Sequence, residues 1–155
     1  MTKKVFIFIW FISAVFLFDC RNNNLNDSSP YRHYEHLLTK ELSLSDSVKV
    51  IYVLSDTQCY ACNIKFAKLI EQAGNDASAL LIINVPQTFV DIGPFRRFDN
   101  VVFNFHKEDT FFNRSKIIYR NKCHIRHIIP VEARTIRHIE SDFPRIFLPG
   151  KLSDF

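Results

Sequence analysis

The stretch VIYVLSDTQCYACNIKFAKLI, residues 50–70, joins an apolar run, a short polar break, two cysteines two residues apart and a segment with helical periodicity. The apolar run belongs to residues 48–54, VKVIYVL, whose β-branched side chains predict a strand buried on both faces of a sheet. One face of the following helix carries apolar side chains at helical spacing: Cys62, Phe66, Leu69, Ile70 and Ala73. The stretch therefore predicts a buried strand and a helix with the cysteine pair at their junction.

Later segments extend this α/β pattern. Residues 79–85, ALLIINV, predict a second buried strand, and a strand–helix–strand crossover of this length favours parallel neighbours. Gly74 is predicted to end the intervening helix. Weaker patterns predict a first helix opened by Ser29 and Pro30, strands over residues 100–106, 115–119 and 145–148, and a helix over residues 130–139 opened by Pro130.

Composition indicates a single packed domain. The chain has 155 residues, 47% of them hydrophobic, with 16 phenylalanines and only three glycines. This length supports one core, and the composition excludes a disordered or repetitive polypeptide.

The N-terminus has the features of an export signal. Two lysines, Lys3 and Lys4, precede an apolar run at residues 5–18, which is short for a membrane-spanning helix but fits the apolar region of a signal peptide. Cys20 directly after this run resembles the lipobox of bacterial lipoproteins, although Asp19 stands where that family usually has a small residue. The resemblance implies a signal peptide at residues 1–19, lipidation of Cys20, a flexible tether over residues 20–29 and a folded domain over residues 30–155.

Export would place the domain in an oxidising compartment, where exposed thiols form disulfides. Without Cys20, the mature domain keeps the close pair Cys59 and Cys62 and the odd thiol Cys123. At a helix N-terminus, unpaired N–H groups and the helix dipole stabilise the thiolate of the first cysteine. Cys59 is therefore the candidate nucleophile, and Cys62, one turn later, the candidate resolving thiol.

The chain resembles the thioredoxin-like superfamily, in particular the membrane-tethered thioredoxin-like lipoproteins of bacterial envelopes. The resemblance rests on residues 50–66, on the strand at residues 79–85 and on the late segment DFPRIFLPGK, residues 142–151. It implies a three-layer α/β sandwich with a central mixed sheet, and catalysis by Cys59 and Cys62. It also implies a substrate-supporting proline at Pro144. Because the chain ends at Phe155, the helix that normally follows the last hairpin is expected to be missing.

The function that this resemblance implies is thiol–disulfide exchange with protein thiols and disulfides, by a monomer on the membrane facing the periplasm or exterior. No cofactor or metal is implied. The sequence departs from common members of the family, because Gln58 precedes the pair and Tyr60 and Ala61 lie within it. The alternative is a non-enzymatic lipoprotein of the same fold, a binding or structural module with a structural or vestigial disulfide.

Two further interpretations concern ligands. A zinc site would need two more ligands beside the pair, which Cys123, His124 and His127 offer, but these lie about 60 residues away, unlike the compact spacing of zinc modules. The formal charge of +4 is unevenly distributed, with seven Lys or Arg against one acid over residues 112–138. This run would suit anionic lipid headgroups or an acidic partner, or it forms a solvated basic face. Nucleic acid is not an expected partner of an exported protein, and no reader motif is present.

Overall fold

The fold is described by a computed structural model for residues 29–57, 59–86 and 89–143. Cys20, Pro144 and the strand predicted over residues 145–148 lie outside these ranges. The described elements, in chain order, are α1 (Arg32–Glu41), β1 (Val50–Ser55), α2 (Tyr60–Glu71), β2 (Ala79–Asn84), a 3-10 helix (Gly93–Arg97), β3 (Val101–Phe103), β4 (Lys116–Asn121), β5 (His124–Pro130) and α3 (Ile136–Asp142).

The strands form one mixed sheet in the order β3-β2-β1-β4-β5. β1, β2 and β3 are parallel, as the crossover through α2 predicts, whereas β4 is antiparallel to β1 and forms a hairpin with β5. All six residues of β1 and all six of β2 are buried. The α/β class and the two central strands predicted from the sequence are thus confirmed.

Helices cover both faces of the sheet. On one face, Tyr52 and Leu54 of β1 pack in a core cluster with residues of α2 and α3, among them Phe66 and Ile139. On the other face, Ile51 and Val53 pack with Leu38 of α1 and with an aromatic group from the β3–β4 connection: Phe105, Phe111 and Phe112. The alternation follows from the twofold side-chain period of a strand.

Two local predictions were wrong. α1 begins at Arg32, two residues later than expected, because Ser29 closes a turn by accepting the Arg32 N–H at 3.2 Å instead of capping the helix. Pro130 ends β5 instead of opening a helix, a position on an edge strand that tolerates a missing N–H. The helix that follows β5 is α3, which packs in the α2 cluster. The last hairpin predicted from the sequence, after which no helix is expected, involves residues 145–155 and lies outside the described ranges.

Gly74 follows α2 for a steric reason. Its φ is not positive, so it does not adopt the left-handed conformation common for glycine at the C-terminus of a helix. A Cβ at this position would lie 2.2 Å from the ring of Phe98, a buried core residue. The glycine therefore permits close packing of the chain after α2 against the segment leading to β3.

Candidate functional site

The cysteine pair lies where β1 ends and α2 begins, at the carboxyl end of the parallel strands. Cys59 and Cys62 are joined by a disulfide with their Cα atoms 5.2 Å apart. Cys59 is the N-cap of α2, and its Sγ accepts the backbone N–H of Cys62 at 3.3 Å. The sequence placed both residues correctly, because an apolar strand followed by helical periodicity fixes the junction.

The two sulfur-bearing residues differ in access to solvent. Cys62 is 3% exposed and belongs to the core cluster that contains Tyr52 and Phe66. Cys59 is half-buried and only packs against the margin of that cluster. A reagent or partner can therefore approach Cys59, whereas Cys62 is accessible only from within the pair.

An aromatic pair borders Cys59. Tyr60 is 55% exposed, the most exposed large hydrophobic side chain of the described residues. Its ring makes an edge-to-face contact with Phe89, with the ring centroids 4.8 Å apart. This geometry holds an apolar surface in place directly beside the more accessible cysteine.

A buried polar cluster lies at the same junction, between the end of β1, α2 and the start of β4. The Oγ of Ser115 accepts the backbone N–H of Ser55 at 2.8 Å and lies 2.6 Å from Oδ1 of Asn63, to which it donates. The hydroxyls of Ser55 and Thr57 both donate to the carbonyl oxygen of Asn113. These hydrogen bonds fix residues 113–115, which lead into β4, against the end of β1.

Neither Asn63 nor Ser115 was predicted from the sequence as a site residue. Asn63 occupies a position on the buried stripe of α2, three and seven residues before Phe66 and Ile70, and it is fully buried. A polar residue on the otherwise apolar face of a helix is the pattern that marks Asn63 in the sequence, because a buried amide normally has hydrogen-bond partners. No comparable pattern marks Ser115, because the sequence did not predict the β4–β5 hairpin.

The zinc interpretation receives no support from the geometry. β4 runs antiparallel to β1, so the turn carrying Cys123 lies at the opposite end of the sheet from Cys59. A six-residue strand such as β1 is about 20 Å long, too far for shared ligation. Within residues 29–57, 59–86 and 89–143, no three His, Cys, Asp or Glu side chains are grouped to hold a metal.

The basic run does not form one continuous surface. Lys116 and Arg120 are buried, and Arg120 donates to the carbonyl oxygen of Val48 at 3.1 Å. The other five cations are exposed on different elements: Arg114, Lys122, Arg126, Arg134 and Arg137. Two of the seven basic side chains of the run thus lie buried inside the fold.

Lys116 gives the protein an expected pH-dependent stability. Its ammonium lies 4.1 Å from the centre of the Phe111 ring, and burial, with a smaller effect of the Arg114 charge, lowers the pKa of Lys116 to about 8. In the unfolded chain the pKa of lysine is about 10.4, so the unfolded state binds more protons between these values. The contribution of Lys116 to folding stability should therefore be unfavourable below pH 8 and improve as the pH rises towards 10.

Lys116→Met should raise the free energy of unfolding at pH 7 by about 2 kcal/mol and flatten its rise between pH 7 and 9.5, measured by urea denaturation. Lys49→Met, which changes an exposed lysine, is the matched control and should leave the slope intact. An unchanged slope in Lys116→Met would show that another group titrates.

Comparison with known proteins adds no assignment, because no family model, curated protein or solved structure matches the chain. Among the described residues, no helix has the length and apolar character required to cross a membrane. The class that the structure defines is a mixed α/β domain with a disulfide-bonded C-x-x-C pair at the start of a helix.

Proposed function

We propose that this protein is a thiol–disulfide oxidoreductase with a thioredoxin-like fold that acts as a monomer on proteins of the bacterial envelope. The observation that carries the proposal is the unequal exposure of the two cysteines at the N-terminus of α2. The half-buried Cys59 can meet a partner, and the buried Cys62 can then complete the exchange. Nucleophilic and resolving cysteines need this division of access.

The chemistry is a reversible two-electron exchange. In the reduced pair, the Cys59 thiolate attacks one sulfur of a partner disulfide, forming a mixed disulfide and releasing the other partner sulfur as a thiolate. Cys62 loses its proton and attacks Sγ of Cys59, so the mixed disulfide breaks and the second partner sulfur leaves. The partner gains the two electrons that the pair loses, and its two sulfurs take up the Cys62 proton and one proton from solvent. The reverse sequence oxidises a partner dithiol.

The half-buried edge of Cys59 and the Tyr60–Phe89 aromatic pair support a polypeptide partner. An exposed aromatic surface next to the reacting sulfur can bind apolar side chains beside a partner cysteine. In this proposal Pro144, outside the described residues, contributes to the same binding surface.

One observation favours the alternative function, a non-enzymatic module with a structural disulfide. The β1 residues in the cluster around Cys62 are Val50, Tyr52 and Leu54, none of which is acidic. The single buried acid among the described residues, Glu35, bonds the Ile125 N–H of β5 at 2.8 Å. Among the described residues, no buried carboxylate therefore lies in the cluster around Cys62 to accept its proton.

The reduction potential of the pair distinguishes the two functions. Purified protein carrying Cys123→Ser, which removes the remaining thiol of the domain, is equilibrated in dithiothreitol and glutathione buffers, and reduced cysteines are counted by alkylation and mass spectrometry. A potential between about −120 and −270 mV is expected for an oxidoreductase. A value below about −300 mV would indicate a structural disulfide and overturn the proposal.

The location in the envelope is part of the proposal and rests on the sequence of residues 1–20. Lipidation of Cys20 would hold the domain at a membrane by residues 20–29. Cys20→Ser should abolish incorporation of labelled fatty acid into the full chain, and unchanged labelling would contradict the anchor.

A further inference from the structure

Asn63 carries a buried hydrogen-bond donor without a partner next to the cysteine pair. Its side chain is fully buried in α2. Oδ1 accepts the hydroxyl of Ser115 at 2.6 Å, whereas Nδ2 has no hydrogen-bond partner among the described residues. Leaving such a group unpaired costs about 1–3 kcal/mol, so buried donors are normally satisfied.

The position of this donor relates it to the first cysteine. The backbone N–H of Asn63 donates to the carbonyl oxygen of Cys59 at 3.0 Å, which places Asn63 one helical turn after Cys59. Side chains four residues apart lie on the same face of a helix. Asn63 also follows Cys62 directly in the chain.

Ser115 sets the orientation of the amide. Its Oγ accepts the Ser55 N–H at 2.8 Å and lies 3.1 Å from the Ser55 carbonyl oxygen, and its hydroxyl donates to Oδ1 of Asn63 at the shorter distance of 2.6 Å. The Nδ2 side therefore points away from Ser115 in a fixed direction. This arrangement leaves Nδ2 as a buried donor that makes no hydrogen bond to the disulfide-bonded pair.

We propose that Asn63 Nδ2 donates a hydrogen bond to the thiolate formed when the Cys59–Cys62 disulfide is reduced, and thereby stabilises the reduced pair. The inference rests on the proposed redox function and assigns a further residue to its site. Reduction by dithiothreitol supplies two electrons and two protons: the S–S bond breaks, one proton remains on Cys62, and the other goes to solvent while Cys59 stays a thiolate. The thiolate is the acceptor that the amide lacks.

Other groups could act on the same thiolate. Among the described residues, the charged side chains near this end of the sheet include Asp56 after β1, Arg114 before β4, and Lys65 of α2, which pairs with Glu140 of α3 at 2.9 Å. They are exposed or half-exposed, so solvent and salt screen them. Tyr52 beneath the pair stays neutral because burial raises its pKa. A buried amide acts without screening, so its effect should persist at high salt.

Asn63→Leu keeps the approximate volume and removes the donor. In dithiothreitol buffers the equilibrium constant for reduction should fall about tenfold, equivalent to about 30 mV, and the pKa of the Cys59 thiol should rise. Asn63→Asp, which places a carboxylate in the same position, should change both quantities further in the same direction. The thiolate is followed by its ultraviolet absorbance as the pH is varied.

Two controls separate this role from a general loss of stability. Gly74→Ala forces a Cβ against Phe98 at the other end of α2 and should destabilise the fold without changing either quantity. Ser115→Ala should shift the equilibrium in the direction of Asn63→Leu, and Ser115→Thr, which keeps the hydroxyl, should restore it.

The inference is wrong if folded Asn63→Leu keeps the wild-type equilibrium constant and thiol pKa. If Asn63→Leu does not fold, Ser115→Ala with a wild-type constant overturns it equally. These measurements need no protein partner, so their outcome is separate from that of the proposed function. A wild-type potential below about −300 mV with a tenfold effect of Asn63→Leu would refute the oxidoreductase and leave the role of Asn63 standing.

Discussion

Cys62→Ser is expected to trap partner proteins on Cys59 as stable mixed disulfides, whereas wild type releases them. The reason is the geometry of the pair: Cys59 is half-buried and can attack a partner, and Cys62, 3% exposed, supplies the second thiol that resolves the intermediate. Without that thiol, the mixed disulfide persists until an external thiol reaches it.

The measurement is non-reducing electrophoresis of the full chain after acid quenching of cells, followed by mass spectrometry of the shifted bands. Cys59→Ser is the matched control, since it keeps a single cysteine of the pair but leaves only the buried one. It should trap far fewer partners. Equal trapping by the two variants would contradict the assignment of Cys59 as nucleophile, and no trapping by Cys62→Ser would contradict the exchange function.

Tyr60→Ala would extend this result to partner binding. If the Tyr60–Phe89 surface binds polypeptides, the trapped set from Cys62→Ser should shrink when Tyr60→Ala is added, while the reaction of Cys59 with a small alkylating reagent stays unchanged.

The central part of the fold was predictable because its strands are almost entirely apolar. β1 and β2 are buried on both faces, so their sequences are continuous apolar runs that no surface element would have. The junction with α2 then followed from the change to helical periodicity, and with it the placement of Cys59 and Cys62.

The β4–β5 hairpin was only partly predictable, because burial there includes charged residues. Lys116 and Arg120 are buried in β4, one over the Phe111 ring and the other on a backbone carbonyl. In the sequence they belong to the basic run at residues 112–138, which suggests a charged surface. Apolar and polar residues do not alternate regularly along β5, because it is an edge strand with a register shift opposite Tyr119 and Arg120. Tertiary partners, which no local pattern contains, decide these positions.

The polar part of the candidate site was unpredictable for the same reason. Asn63 and Ser115 are 52 residues apart in the chain and meet only because β4 lies beside β1. Predicting their contact required the antiparallel pairing of these strands.

A second buried asparagine, Asn84 at the end of β2, fixes the long β3–β4 connection that leads to the site. Its Nδ2 donates to the carbonyl oxygens of Phe105 and Phe112, both at 2.9 Å, and the side chain is fully buried. These two bonds hold the aromatic group of the connection against the sheet. The same connection ends at residues 113–115, which Ser55 and Thr57 hold beside the cysteine pair.

Asn84→Ala should therefore lower the free energy of unfolding by about 3 kcal/mol, because two carbonyl oxygens lose their donor in a buried setting and a cavity replaces the amide. Urea denaturation gives this value. Hydrogen exchange of the amides over residues 105–115 should accelerate in native conditions, because the connection then opens without global unfolding.

Asn100→Ala is the matched control. The Nδ2 of Asn100 also bonds two backbone carbonyls, those of Asp76 and Ala79 at 3.1 and 3.0 Å, but the residue is only half-buried. Water can replace its amide, so the loss should stay near 1 kcal/mol. If the two variants lost the same free energy of unfolding, burial of the amide would not explain how Asn84 holds the β3–β4 connection. If Asn84→Ala also slows the reaction of reduced Cys59 with a disulfide reagent, the β3–β4 connection helps to position the site; an unchanged rate would confine Asn84 to stability.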